Sequence, residues 1–304
     1  MKRIVVTGAS GFIGCHALSR LLERGYEVHA VARRVGAPAA NVHWHAANLL
    51  DRQQASALVD AVRPTHLLHF AWYGEHGKFW AAPQNLDWVG ASIHLLEAFT
   101  HAGGQRFVGV GSCAEYDWTK GHCRENETPL VPGTLYGTCK DLFRRYLEAR
   151  ALTSGLSWAW GRVFHLHGPA EHPARLVAAV IEALARDQPA ACTSGEQVRD
   201  FMHVADAADA FVALLDSPVH GAVNIASGHP VAVKDLVTQI ADLMQKRPLL
   251  RLGALPDRAG DPAVLTAEVR RLTQEVGWPL QHDLTSRLKD TLAWWRDRRS
   301  APAP

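Results

Sequence analysis

An α/β architecture, a doubly wound parallel sheet followed by a smaller discontinuous lobe, is the fold class that this 304-residue sequence predicts. Three observations predict it. Strand-like and helix-like stretches alternate through the first half, a glycine-rich turn joins the first strand to the first helix, and the alternation loses its regularity after Gly168-Pro169. Taken in order, residues 3–6 read as a short buried strand. Residues 12–24 read as a helix, with Ile13, Ala17, Leu18, Leu21 and Leu22 on one face. Residues 27–32, 42–46 and 66–71 read as further strands. A helix is expected from Asp51 to Val62, with Pro64 beyond its end, and another over 87–102, ended by Gly103-Gly104, before a strand at 107–111. Residues 134–153 form the next predicted helix and 158–163 the next strand. Beyond the break, 176–185, 204–215, 236–245 and 284–295 read as helices, 223–226 as a short strand and 296–304 as a frayed tail. The expected main domain is residues 1–164 plus about 200–225, and the lobe is built from about 165–199 and 226–295.

The bulk properties exclude several classes of function. A formal net charge of +2 provides no basic field for nucleic acid. The histidines are scattered, and Cys15, Cys113, Cys123, Cys139 and Cys192 form no CxxC pair or zinc-like cluster. No metal site is therefore expected, and unpaired thiols fit a reducing cytoplasm. No apolar stretch approaches membrane-spanning length, and Gly8 and Gly11 interrupt the apolar run behind Lys2-Arg3. The N-terminus thus reads as a first strand rather than a secretion signal.

Thr7-Gly8-Ala9-Ser10-Gly11-Phe12-Ile13-Gly14 places Gly8, Gly11 and Gly14 at G-x-x-G-x-x-G spacing between a strand and a helix. Glycines let the backbone approach a pyrophosphate, whose charge is favoured at the helix N-terminus that Phe12 and Ile13 open. That is the dinucleotide-binding turn of a Rossmann fold. A carboxylate at the end of the second strand would bind ribose hydroxyls, but this chain has Arg33 and Arg34 there. Two guanidiniums suit a 2′-phosphate, so NADP(H) is the expected cofactor and NAD(H) the alternative.

Tyr136 and Lys140 stand four residues apart on a predicted helix, so they share a face. An ammonium beside a phenol can favour the phenolate, and such a tyrosine suits proton exchange with an alcohol or ketone.

The glycine motif, Gly111-Ser112-Cys113-Ala114-Glu115-Tyr116 and Tyr136-x-x-x-Lys140, in this order, resemble the extended short-chain dehydrogenase/reductase family. More narrowly, the chain is similar to the nucleotide-sugar epimerases, dehydratases and reductases over about residues 1–280. Further matches are 162–169, 199–204 and Asn224-Ile225-Ala226-Ser227-Gly228. The resemblance implies that Ser112 hydrogen-bonds the reacting sugar oxygen, that Tyr136 is the acid/base, and that Lys140 holds the nicotinamide ribose. It places Asn48 and Leu49 near the adenine, Ala71 at the cofactor and Trp72 on the substrate side. It assigns Arg199 to the sugar-nucleotide diphosphate, with Arg258 as a second ligand; read from the residues alone, a surface salt bridge between Arg199 and Asp200 is the alternative. His165 stands where relatives often carry Asn, at a position that can contact substrate. The implied partner is a nucleotide-diphosphate sugar, with neither nucleic acid nor membrane. Relatives also imply a homodimer through the helices at 88–102 and 142–152.

Three chemistries share such a site. A 4,6-dehydratase would carry Asp-Glu where this chain has Cys113-Ala114, and an epimerase-reductase of the GDP-fucose synthase type would carry its Cys one place later. The Gly-Ser-x-x-Glu-Tyr pattern resembles the version found in 4-keto sugar reductases, and with the two arginines this resemblance implies NADPH-dependent reduction of a 4-keto-6-deoxy nucleotide sugar. The alternative is a 4-epimerase with retained NAD, and the reading from a different class is a non-catalytic NADP-binding scaffold or sensor.

Overall fold

The computed structural model describes residues 2–34 and 41–300. The first half runs β1 (Arg3–Thr7), α1 (Gly14–Glu23), β2 (Glu27–Ala32), β3 (Val42–Ala46), α2 (Arg52–Val62), β4 (His66–His69), α3 (Gln84–His101), β5 (Arg106–Ser112), β6 (His122–Cys123), α4 (Leu135–Ser154) and β7 (Ser157–Val163). The second runs β8 (His165–His167), α5 (Leu176–Ala185), β9 (Ala190–Ala191), β10 (Val198–His203), α6 (Val204–Asp216), β11 (Gly221–Ile225), β12 (Pro230–Ala232), α7 (Val233–Leu243), β13 (Leu250–Arg251), β14 (Val264–Ala267) and α8 (Leu284–Ser300).

Seven strands pair in parallel in the order β11-β7-β5-β4-β1-β2-β3. Strands β1, β4, β5 and β7 bury almost every side chain, as a parallel sheet covered on both faces requires. On one face Ala17, Leu18 and Leu21 of α1 and Phe211 and Leu214 of α6 pack with Ile4, Val6 and Val28. On the other, Leu58 of α2, Leu95 and Phe99 of α3 and Phe143 and Leu147 of α4 pack with Val5, Leu67 and Phe107. Strand order reverses between β1 and β4, which opens a crevice at their carboxyl ends.

Local chemistry fixes the helix ends. Asp51 caps α2 by accepting from the amides of Gln53 and Gln54, and Thr134 caps α4 by accepting from Gly137 N at 3.1 Å. Helix α4 stops at Gly155, whose φ of 70° suits a left-handed cap.

A second, smaller sheet has the order β12-β10-β14-β6, with β8 also paired to β10. Helices α5, α7 and α8 bury their own cluster, including Ile181, Leu236, Ile240 and Leu288. Helix α8 continues to Ser300, so the segment expected as tail is helical from Arg296 to that point, and the rest of it, 301–304, lies outside the described residues. Among the described residues no helix is long and apolar enough to cross a membrane, and no group of three metal-ligating side chains converges.

Candidate active site

The glycine turn lies at the switch point with little room around it. Gly8 has φ 64°, and a Cβ there would come within 2.8 Å of Ala71 N, so the turn lies directly against the end of β4. A Cβ on Gly14 would fall 2.3 Å from Gly8 O. The turn is tied down by Gly11 N donating to Gly8 O at 2.9 Å and Ala71 N donating to Thr7 Oγ1 at 3.2 Å. Helix α1 starts with no side-chain cap and no acidic residue in its first turn. Its N-terminal amides and dipole are thus available to an anion, and the residues present fit a dinucleotide pyrophosphate.

Ser112 ends β5, and its hydroxyl accepts from Ala114 N at 3.2 Å, leaving its own hydrogen free to donate. Tyr136 sits in the first turn of α4 beside it. The close approach has a local cause that sequence reading missed: Gly137 packs where a Cβ would lie 2.2 Å from Ala114 O. Burial pushes the Tyr136 phenol well above its ordinary range, with the Ser112 hydroxyl opposing that shift. Lys140 is buried and donates from Nζ to Val110 O at 2.7 Å, while Tyr136 is partly buried by exposed surface. Burial pulls its pKa down to about 7, against a smaller upward pull from Glu115. Its Nζ lies 5.8 Å from the centre of the Tyr136 ring but only 3.9 Å from that of Trp72. The expected lowering of the Tyr136 pKa by Lys140 is therefore not what the fold produces, because dehydration dominates at both groups.

The Glu-Tyr half of the motif is structural. Glu115 is fully buried and accepts from Ser112 N at 2.7 Å, from Trp160 Nε1 and from Arg162 Nε at 2.8 Å. Tyr116 donates to Asn224 Oδ1 at 2.7 Å and accepts from Arg162 Nη1 at 3.1 Å. Cys113 follows Ser112, and burial pushes its thiol up to about 12. The thiol therefore stays protonated at neutral pH, and neither it nor Ala114 can exchange a proton there.

A family model described as the NAD dependent epimerase/dehydratase family matches residues 4–226. The chain belongs to that family. It is 29% identical to a UDP-glucose 4-epimerase of Rhizobium meliloti (strain 1021), covering 98% of each chain. Among solved structures, MoeE5 in complex with UDP-glucose and NAD is 28% identical with a TM-score of 0.85, covering 98% of this chain and 99% of that one. A UDP-glucose 4-epimerase of Thermotoga maritima, solved with UDP-glucose, shares the fold at a TM-score of 0.86 and 23% identity, with coverage of 98% and 99%.

The remaining expected residues of this family member divide by location. Ala71 abuts the glycine turn. Asn48 lies at the turn from β3 into α2, where its side chain accepts from Leu50 N at 3.2 Å and Leu49 is buried. Arg33 and Arg34 are exposed at the carboxyl end of β2. Trp72 does not stand free on the substrate side: it lies over Lys140, and its Nε1 donates to Asn85. Arg199 is buried and pairs with Asp261 at 2.8 Å, not with Asp200, which accepts instead from Ser227 and Gly228. His165, held neutral by burial at about 3, feels the charges of Arg199 and Arg175. Arg258 is exposed, and its charge reaches His76. Sequence reasoning gave no role to Arg175 or Glu171, which pair at 3.3 Å. With Phe12, His76 and Phe79 they line a cleft of about 390 Å³. The signal was present: Arg162 and Arg175 flank a segment expected near the site.

Proposed function

We propose that this protein is a nucleotide-sugar 4-epimerase working with retained NAD. One observation carries the reading: Tyr136 and Ser112 form a proton-exchange pair with no free acid or base on the following turn, since Cys113 and Ala114 cannot serve and Glu115 is held by Arg162. Inverting C4 through a transient ketone requires proton exchange at a single oxygen, whereas loss of water from neighbouring carbons requires more groups. The whole-length likeness to a UDP-glucose 4-epimerase supports the same choice over reduction.

In this reading Tyr136, ionised before C4 is oxidised, takes the proton of the sugar O4 as the phenolate and returns it to the ketone oxygen, and the Ser112 hydroxyl donates a hydrogen bond to that oxygen as its charge changes. Arg199 and Arg258 hold the diphosphate. The glycine turn, the amides opening α1, Ala71 and Lys140 hold the dinucleotide, which when bound supplies reversible hydride exchange at C4. Exposed Leu86, Leu142 and Leu152 on α3 and α4 support a homodimer, checked by the mass from light scattering.

NADPH-dependent reduction is the second reading, favoured by Arg33 and Arg34 at the end of β2. The deciding experiment incubates the protein with UDP-glucose and other nucleotide sugars and analyses sugar configuration and cofactor redox state. The epimerase reading expects C4 epimers with no net change in cofactor, and turnover lost in Tyr136→Phe with cofactor still bound. Stoichiometric NADPH consumption on 4-keto sugars, lost in Arg33→Ala/Arg34→Ala, would establish the reductase instead. Tight cofactor binding with no turnover of either kind would leave a sensor.

A further inference from the structure

Residues 72–83, between β4 and α3, bring Trp72, Phe79 and Trp80 over the candidate catalytic residues, and one buried side chain organises them. Asn85, in the first turn of α3, is fully buried. Its Oδ1 accepts from Trp72 Nε1 at 2.8 Å, and its Nδ2 donates to Phe79 O at 2.7 Å and Ala82 O at 2.9 Å. Each bond has a consequence at the site. The first sets the plane of Trp72, whose face lies 3.9 Å from Lys140 Nζ and whose ring stacks on Trp88. The other two set the path of Phe79 and Trp80, whose rings meet Tyr136 edge-on at 5.0 Å and 5.8 Å. Trp80 O also accepts from Tyr136 N at 3.1 Å, which ties the segment to the start of α4.

We propose that Asn85 is a positioning residue for the Tyr136–Lys140 pair. It holds Trp72 as the cation–π partner of the Lys140 ammonium, and it holds the aromatic segment whose Phe79 and Trp80 rings pack against Tyr136. The effect on turnover rests on the reading of that pair as the proton-handling site; the geometry does not.

The physical argument begins with the ammonium. Lys140 is buried with Val110 O as its hydrogen-bond acceptor, so the face of Trp72 supplies stabilisation that water would otherwise give, and cation–π attraction strengthens with dehydration. The other titratable groups that reach it are Glu115 on the turn after β5, His69 on β4 and Tyr136 on its own helix. His69 is held neutral, near 3, by burial, so it does not titrate with Lys140. An indole free to rotate would leave the ammonium without that face. A free segment at 72–83 would admit water to Tyr136.

The test needs no substrate at first. In protein labelled throughout with fluorotryptophan, fluorine NMR gives a line for Trp72, identified by its loss in Trp72→Phe. In the wild type that line should shift with pH as Lys140 titrates, near 7, and the shift should vanish in Lys140→Met. In Asn85→Leu, similar in size but unable to hydrogen-bond, the Trp72 shift should be lost. Turnover should fall on the order of 10–100-fold, with the cofactor Kd within about 2-fold. Asn85→Asp keeps the acceptor for Trp72 and loses both donors, so it should retain the Trp72 titration while displacing the Trp80 line. A purely structural Asn85 would move stability and leave the titration intact. A wild-type titration in Asn85→Leu, or no Lys140-dependent titration in the wild type, overturns the proposal. If Asn85→Leu does not fold, an undisplaced Trp80 line in Asn85→Asp overturns it. If the titrations behave as expected but no nucleotide sugar is turned over, the proposed reaction fails and the positioning role stands.

Discussion

Replacing Glu115 with glutamine removes the charge that a set of buried donors converges on, and the structure fixes the size of the penalty. The side chains of Glu115 and Arg162 are 0% and 2% exposed, with Oε2 and Nε 2.8 Å apart. Ser112 N at 2.7 Å and Trp160 Nε1 at 3.0 and 3.1 Å complete the carboxylate's partners. Glutamine offers one acceptor oxygen where two are used, and its NH2 must face a donor. The Arg162 guanidinium then keeps only neutral partners, Tyr116 Oη at 3.1 Å and Glu125 O at 3.5 Å. Leaving one member of a buried pair uncompensated costs about 3–5 kcal/mol, against a total stability of roughly 5–15 kcal/mol for a typical domain. Urea unfolding should therefore show a much lower midpoint for Glu115→Gln at an unchanged slope. Arg162→Met should be similarly damaging alone. The double variant should be less destabilised than the sum of the singles by about 0.5–3 kcal/mol, the range of coupling between contacting residues. Because Glu115 also accepts from the Ser112 amide, turnover should fall in the folded fraction as well. A loss below about 1 kcal/mol, typical of exposed pairs, would refute the reasoning.

Two further outcomes follow from packing and protonation. Gly14→Ala places a Cβ 2.3 Å from Gly8 O, so α1 must back away from the glycine turn; cofactor affinity should fall at least ~10-fold, with about 1–3 kcal/mol of overpacking strain, and unchanged affinity in a fluorescence titration would count against the cradle. Burial holds His66 and His167 near 4 and His69, His165 and His203 near 3, below the ordinary value of 6.5. Each favours the folded state fully above 6.5, and that stability is lost as pH falls from 6.5 toward 3–4, at up to about 1.4 kcal/mol per pH unit per histidine. Glu171, raised to about 7, acts oppositely: its contribution is full below 4.5 and is lost as pH rises toward 7. The histidines outnumber it, so melting temperature should drop steeply between pH 6.5 and 4; a flat profile there would remove the argument.

Legibility in the sequence followed locality. The bounds of β2, β3 and α5 coincide with those expected, because each is an apolar or periodic run bounded by clear breaks. Strand β10 was invisible as a strand because Arg199 and Asp200 sit at its centre. They are tolerable there only through distant partners, Asp261 for the first and Ser227 with Gly228 for the second. A strand at 198–203 would also have excluded an Arg199–Asp200 pair, since successive side chains point to opposite faces. The two-residue strands β6, β9 and β13 exist only through the partners they meet. Gly137 did carry a signal: a glycine inside a helix costs about 1 kcal/mol relative to alanine, so its presence beside Tyr136 implied a close approach. Asn85 carried none, because what it does depends on where residues 72–83 fold back.

The same contrast bears on the chemistry of Tyr136. Four-residue spacing to Lys140 suggested a phenol made acidic by a neighbouring ammonium, but burial raises the one and lowers the other, so both groups lean toward neutrality. Glu115, whose charge reaches both, pushes each pKa upward. Each proton affinity is thus set mainly by dehydration, with Glu115 acting on both. Whatever wets the site moves both groups toward their ordinary values at once. Phe79 and Trp80 pack on Tyr136 and Trp72 packs on Lys140, and these three depend on Asn85. A neutral phenol held beside a hydroxyl donor can give its proton to an oxygen that develops charge as a ketone is reduced. The opposite half of the exchange, removal of the sugar O4 proton, requires Tyr136 as the phenolate, so the epimerase reading requires burial to be offset at Tyr136 before C4 is oxidised.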